Sequence, residues 1–96
     1  MINERERKLL WEVVFDILNE ADSKRINALR TATRLTLLDF GLELDISPDT
    51  ICKWEYGKRK PSSESMIIFI PNFLDYMSRN EEAYRNLCKL ISQYEL

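Results

Sequence analysis

The chain has no histidine, only two glycines and two cysteines, and no long apolar run. Each shortage removes a class of function. Without histidine, the commonest general base and the commonest zinc ligand are both missing. Gly41 and Gly57 stand far apart, so no glycine-rich phosphate cradle can be built. Cys52 and Cys88 match no metal-ligand spacing, and two lone thiols fit a reducing, cytoplasmic setting. No stretch approaches ~18 consecutive apolar residues, so no membrane span is expected. The N-terminus MINERERKLL has charge but no uninterrupted apolar segment with a small-residue cleavage site, so no signal peptide is expected either. Sixteen carboxylates are scattered with no pair set apart by apolar surroundings. The composition speaks against an enzyme and calls for no metal and no cofactor.

What is present is ordinary for one soluble globular domain: 96 residues, 45% hydrophobic and 31% charged. The net charge of −2 argues against indiscriminate nucleic-acid binding, which needs a broadly basic surface. Any such contact has to be local. Yet four of the fourteen basic residues (Lys53, Lys58, Arg59 and Lys60) fall within positions 53–60.

Strand signals are sparse. There is no Asn-Gly or Asp-Gly turn, and only MIIFI (66–70) can be read as a buried strand, between helical neighbours. The chain reads as about six helices in a single all-α domain of three parts: an N-terminal helix in 1–21, a central unit in 22–78 and a C-terminal helix in 79–96. The first helix carries Leu9, Leu10, Trp11, Val13, Val14, Phe15, Ile17 and Leu18, an apolar arc of roughly 240° where a surface helix needs little more than about 100°. Such a helix is either wrapped by later helices or meets another chain. The second starts near Asp22 or Ser23 and turns Ile26, Leu29 and Ala32 inward, with Arg30 and Arg34 outward. Thr36 caps a third, LLDFGLEL, which ends at Asp45. A fifth begins around Ser62, and Pro71 is expected to interrupt it or to open another short helix, because proline breaks a helix interior. Asn80 caps the last, with Ala83, Tyr84, Leu87, Ile91 and Tyr94 as its apolar stripe and Cys88 buried beside it.

The fourth helix lies in SPDTICKWEYGKRKPS (47–62). Ser47 suits an N-cap and Pro48 the first helical position, where its missing N–H costs nothing. Ile51 and Trp54 share an inward face. Gly57 closes the helix, and Lys58, Arg59 and Lys60 follow before Pro61. A short capped helix with a basic exit loop has the shape of an element that meets a polyanion.

The longer stretch LRTATRLTLLDFGLELDISPDTICKWEYGKRKPS (29–62) resembles the lambda-repressor-like helix-turn-helix family of the xenobiotic-response-element type. Leu29, Arg30, Leu35, Thr36, Leu42, Ile46, Ser47, Thr50, Ile51, Trp54, Glu55, Gly57, Lys58, Arg59, Pro61 and Ser62 follow the family order without a gap. The resemblance implies a lambda-repressor-like helix-turn-helix bundle, here with an extra N-terminal and an extra C-terminal helix, and a dimeric transcriptional repressor whose 47–56 helix enters the major groove. Two helices that cross steeply need a small residue where they come closest, and Gly41 lies where the pattern wants alanine or glycine. Leu38, Leu42, Ile46, Ile51 and Trp54 are expected to fill the wedge between them. Asp45 takes the turn position that is usually a left-handed glycine, at some cost. Leu37 stands where the family often has a phosphate-binding glutamine, so that contact is lost or replaced.

The DNA-binding set that follows is Arg34, Ser47, Pro48, Asp49, Cys52, Lys53, Tyr56, Lys58, Arg59 and Lys60. Lys53 can donate to guanine, and Asp49 can accept from cytosine or simply favour the first helical turn. The Lys58–Lys60 run is either a phosphate-binding loop or a solvated one, and Arg30 and Arg34 can also be cations that stabilise a helix end. Tyr56 can reach a phosphate or cover the wedge. Cys52 on this face is a small filler or a redox sensor. The expected partners are a double-stranded DNA operator and a second copy of the chain. An antitoxin-type role with a partner toxin, or a protein-interaction module without DNA binding, is the alternative.

Overall fold

The computed structural model describes residues 2–94, Tyr94 by its backbone alone. Six α-helices and no strand occur among the described residues: α1 (Glu4–Asn19), α2 (Ser23–Thr33), α3 (Leu37–Leu44), α4 (Pro48–Glu55), α5 (Ser63–Arg79) and α6 (Glu81–Tyr94). Local chemistry sets the helix starts. At α1, Asn3 Oδ1 accepts from the Glu6 amide at 2.8 Å while the Glu6 carboxylate accepts from the Asn3 amide at 3.2 Å, a reciprocal capping box. Asp22, Thr36, Ser62 and Asn80 cap α2, α3, α5 and α6 through their side-chain oxygens.

The helix ends use the left-handed region. Arg34 at φ 63°, Asp45 at φ 59° and Gly57 at φ 72° close α2, α3 and α4 in turn. Ala21 at φ 53° does the same after α1, a conformation that costs a residue with a Cβ about 1–2 kcal/mol.

All six helices feed one cluster of buried side chains. α5 is its spine, turning Met66, Phe69, Ile70, Phe73, Leu74 and Met77 inward at helical spacing. MIIFI is therefore helical, with Ile67 and Ile68 left outside. Pro71 corrects the expectation of an interruption, since α5 runs straight through it. An interior proline costs about 3 kcal/mol. The four side chains flanking it, Phe69, Ile70, Phe73 and Leu74, are fully buried, and each gains about 1.5–3 kcal/mol by leaving water. Burial wins.

The wedge between α3 and α4 also differs from expectation. Ile51 and Trp54 are buried and Ile46 is partly so, but Leu38 and Leu42 are 61% and 72% exposed. Phe40 and Leu44 take their place. Leu37, Phe40, Gly41 and Leu44 share one face of α3, and Leu38 and Leu42 lie a further 100° or so around it. Phe40 meets Phe69 and Phe73 edge-on at 5.9 and 6.3 Å, and Trp54 meets Phe69 at 6.0 Å, so an aromatic knot seats α3 and α4 on α5. In α6, Ala83 and Leu87 are buried, and Tyr84, Leu90 and Ile91 pack at the margin. The Tyr94 side chain of the expected stripe lies outside the described residues. Cys88 is exposed, not buried, because it follows Leu87 by one position and so turns away from the core.

Candidate nucleic-acid interface

The α3–α4 corner depends on the bare backbone of Gly41. A Cβ there would lie 2.6 Å from the Ile46 carbonyl oxygen and 2.9 Å from Pro48 Cγ, closer than side-chain atoms approach. The Gly41 carbonyl accepts from the Asp45 and Ile46 amides, the latter at 3.1 Å, which closes α3 before the chain turns. Ser47 then occupies the N-cap of α4, but its hydroxyl makes no capping bond, a correction to its expected role. Its carbonyl accepts from the Ile51 amide at 3.1 Å, and Pro48 at the first position has no amide to satisfy.

Ile51 and Trp54 anchor α4 from below. Its other side carries Asp49, Cys52, Lys53 and Tyr56, with Asp49 and Tyr56 exposed and Cys52 and Lys53 half-buried. Lys53 Nζ lies 3.1 Å from Asp49 Oδ2, one turn back, so the cation on this face already has a carboxylate beside it. The pair is open to water, and pairs of that kind contribute only about 0.2–1 kcal/mol. Lys53 can therefore exchange this partner for another at little cost.

The last turn of α4 is fixed from α2. Glu55 accepts from Arg30 Nε and Nη2 at 2.8 and 3.0 Å and from Asn27 Nδ2 at 2.8 Å. Arg30 also donates to the Leu35 carbonyl at 3.0 Å. The Arg30 guanidinium is held above its ordinary pKa, first by its hydrogen bonds to Glu55 and next by the charge of that carboxylate, with burial opposing. Arg30 therefore does not point outward as expected; it braces α4.

Gly57 ends α4 in a two-bond motif: its amide donates to the Trp54 carbonyl at 3.1 Å, and the Lys58 amide donates to the Lys53 carbonyl at 2.8 Å. Lys58, Arg59 and Lys60 follow, all exposed, and none has an ion pair or side-chain hydrogen bond among the described residues. Pro61 is buried again. Three free cations are thus strung between two fixed points, Gly57 and Pro61.

Pro48, Asp49, Cys52 and Lys53 lie on α4, Tyr56 caps its end with the Lys58–Lys60 run shortly after, and Ser47 sits at the helix start. Arg34 stands apart. It is the left-handed cap of α2, and its guanidinium bonds Glu82 of α6 at 3.1 Å. Leu37 packs against the core. On α3, Leu38 and Leu42 border a shallow hollow with Ile46 and Pro48, so the flank of α4 is apolar where it adjoins the corner. The Asn27–Glu55 bond has no signal in the sequence, where nothing joins residues so far apart. Both cysteines are free, and no group of three or more Cys, Asp or Glu side chains among the described residues could hold a metal ion. No helix among them is long and apolar enough to cross a membrane. Compared with known proteins, the chain matches no family model, no curated protein and no solved structure.

Proposed function

We propose that this chain is a sequence-specific DNA-binding regulator of the helix-turn-helix kind, with α3 and α4 as the motif and α4 as the helix that enters the major groove. The observation that carries the reading is the exposed run Lys58–Lys60, which forms no ion pair among the described residues and follows immediately beyond a short braced helix. Cations in that place suit phosphates on either side of a groove, and phosphate contacts set the register in which base edges are read. The acidic net charge of the chain keeps non-specific attraction low, so affinity depends on this local cluster. Lys53 is the base-reading donor, and Asp49, Cys52 and Tyr56 complete a sparse reading face. Operators read by two-fold dimers of such motifs have half-sites about 34–36 Å apart.

The test is selection of bound fragments from a random DNA library at fixed salt, followed by gel shift on the enriched site. A recurrent motif supports the reading, and a pool that stays random at low salt overturns it. Leu38 and Leu42, exposed beside α4, favour a second reading in which this corner binds a partner protein such as a toxin. A toxin gene next to this one, with co-purification of its product, would favour that role; the two roles are compatible.

A further inference from the structure

The fold buries only part of the apolar arc of α1. Leu10, Val14, Ile17 and Leu18 are in the core, while Trp11 is 40% exposed and stacks on the half-buried Phe15 at 5.7 Å between ring centroids. Trp11 and Phe15 continue a stripe from Glu4 and Lys8 along one face, and Trp11 borders an open hollow with Lys8 and Glu12. α5 widens this surface. Arg7 bonds Asp75 at 3.0 Å and Ile2 shares a hollow with Met77 and Arg79, so α1 and α5 run antiparallel. Counting along both helices from the Arg7–Asp75 pair brings Phe15 level with Ile67 and Ile68, which are 68% and 42% exposed.

The charges around the stripe say what covers it. Arg5 and Lys8 precede Trp11, and Glu12 and Asp16 follow it; all four are exposed and none forms an ion pair among the described residues. Asp49 pairs with Lys53 and Glu81 with Arg85 one turn apart, each with the acid before the base. Lys8 and Glu12 stand in the reverse order, the poorer arrangement within one helix, and stay apart, which leaves both for a partner. Counting the exposed Glu4 as well, the free charges among the described residues are net basic before Trp11 and wholly acidic after it, so the two halves attract when the helix is reversed.

We propose that α1 is the contact of a two-fold homodimer, packed antiparallel against α1 of a second copy with the axis at the level of Leu10 and Trp11. In that register Lys8 faces Glu12 of the other copy, whose Asp16 lies level with Glu4 and Arg5, and each contact occurs twice, as an isologous interface requires. Trp11 and Phe15 form the apolar centre, where aromatic side chains supply most of an interface's energy, and the charges form the rim. A partner of uniform charge would satisfy only one half of the helix. The inference deepens the dimeric reading above and rests on it for the biological use of the dimer, but its test contains no DNA, so the two can fail separately.

The test is sedimentation equilibrium of the full chain at low salt. Wild-type protein should be a dimer at micromolar concentration. Lys8→Glu and Glu12→Lys, both at exposed positions that leave the core untouched, should each raise the dissociation constant at least tenfold. Mixing the two variants should restore wild-type association, because position 8 of each variant then faces an opposite charge at position 12 of the other. A monomeric wild type, a dimer indifferent to either change, or a mixture that stays monomeric would each overturn the proposal. Trp11→Ala should weaken the dimer without altering the helical circular dichroism, and an unaltered dimer would likewise overturn it.

Discussion

Arg30 and Glu55 meet in parallel, Nε to Oε2 at 2.8 Å and Nη2 to Oε1 at 3.0 Å, and this fork joins the last turn of α2 to the last turn of α4. The Glu55 side chain is 7% exposed and that of Arg30 21%. Both charges have left most of their water, so the pair matters chiefly through what happens when it is broken.

Glu55→Gln keeps the shape and removes the charge. Taking one partner from a buried pair costs about 3–5 kcal/mol, and the residual exposure of Arg30 sets the expectation at the lower end, about 3 kcal/mol. Urea denaturation should show a lower midpoint with an unchanged slope. The Arg30 pKa is raised, so its contribution is complete below the unfolded value, itself far above neutrality, and is lost only as pH rises through the raised one. Arg30 therefore adds no pH dependence at neutral pH. An unchanged midpoint in the variant would show that water replaces the carboxylate without loss.

Gly41→Ala tests the corner. Alanine is favoured over glycine in a helix interior by about 1 kcal/mol. Here the new Cβ would meet the Ile46 carbonyl at 2.6 Å and the Pro48 ring at 2.9 Å, and main chain cannot rotate aside as a side chain would. Overpacking of this kind costs about 1–3 kcal/mol, so the net effect should be a lower melting temperature. A higher one would mean that α3 and α4 can move apart freely.

The helix starts were legible because capping is local: Thr36, Ser62 and Asn80 announce themselves within one turn. So were the turn at Asp45 and the stop at Gly57. The phase of α3 was not. LLDFGLEL is apolar nearly all the way round, so its pattern does not say which leucines face inward, and the wedge expected of Leu38 and Leu42 is filled by Phe40 and Leu44. Pro71 misled because the penalty of a proline is local while the burial that offsets it comes from the whole core. Arg30 reads as a surface cation until the fold brings Glu55 to it. The candidate interface was readable where it is consecutive, in 47–60, and unreadable where it depends on pairing, as at Arg34 with Glu82 and Lys53 with Asp49.

The basic loop should act through phosphates alone. If Lys58 and Lys60 each neutralise one, changing both to alanine should lower the slope of log K against log salt by about 0.9 per lost contact, with equal losses on the preferred site and on random DNA. Titration at several salt concentrations measures this. An unchanged slope would show that the loop does not touch the backbone.

Asp49 and Lys53 separate base reading from phosphate binding. Lys53→Ala should cost about 1–3 kcal/mol on the preferred site and relax the preference at one base pair, with less effect on random DNA. Equal losses on both would assign Lys53 to the backbone. Asp49→Asn removes the carboxylate that sits 3.1 Å from Lys53 and repels phosphate, while leaving the helix face intact. If Asp49 serves only the helix start, this change should tighten binding to every sequence by up to about 1 kcal/mol, the scale of an exposed charge pair. If Asp49 accepts a hydrogen bond from cytosine, random DNA should still gain while the preferred site loses. The double variant completes the cycle. With Lys53 already gone, Asp49→Asn should gain less than in the wild type, because part of its benefit comes from releasing that lysine. Additive effects would mean that the ion pair breaks on binding at no cost, and that each side chain meets DNA independently.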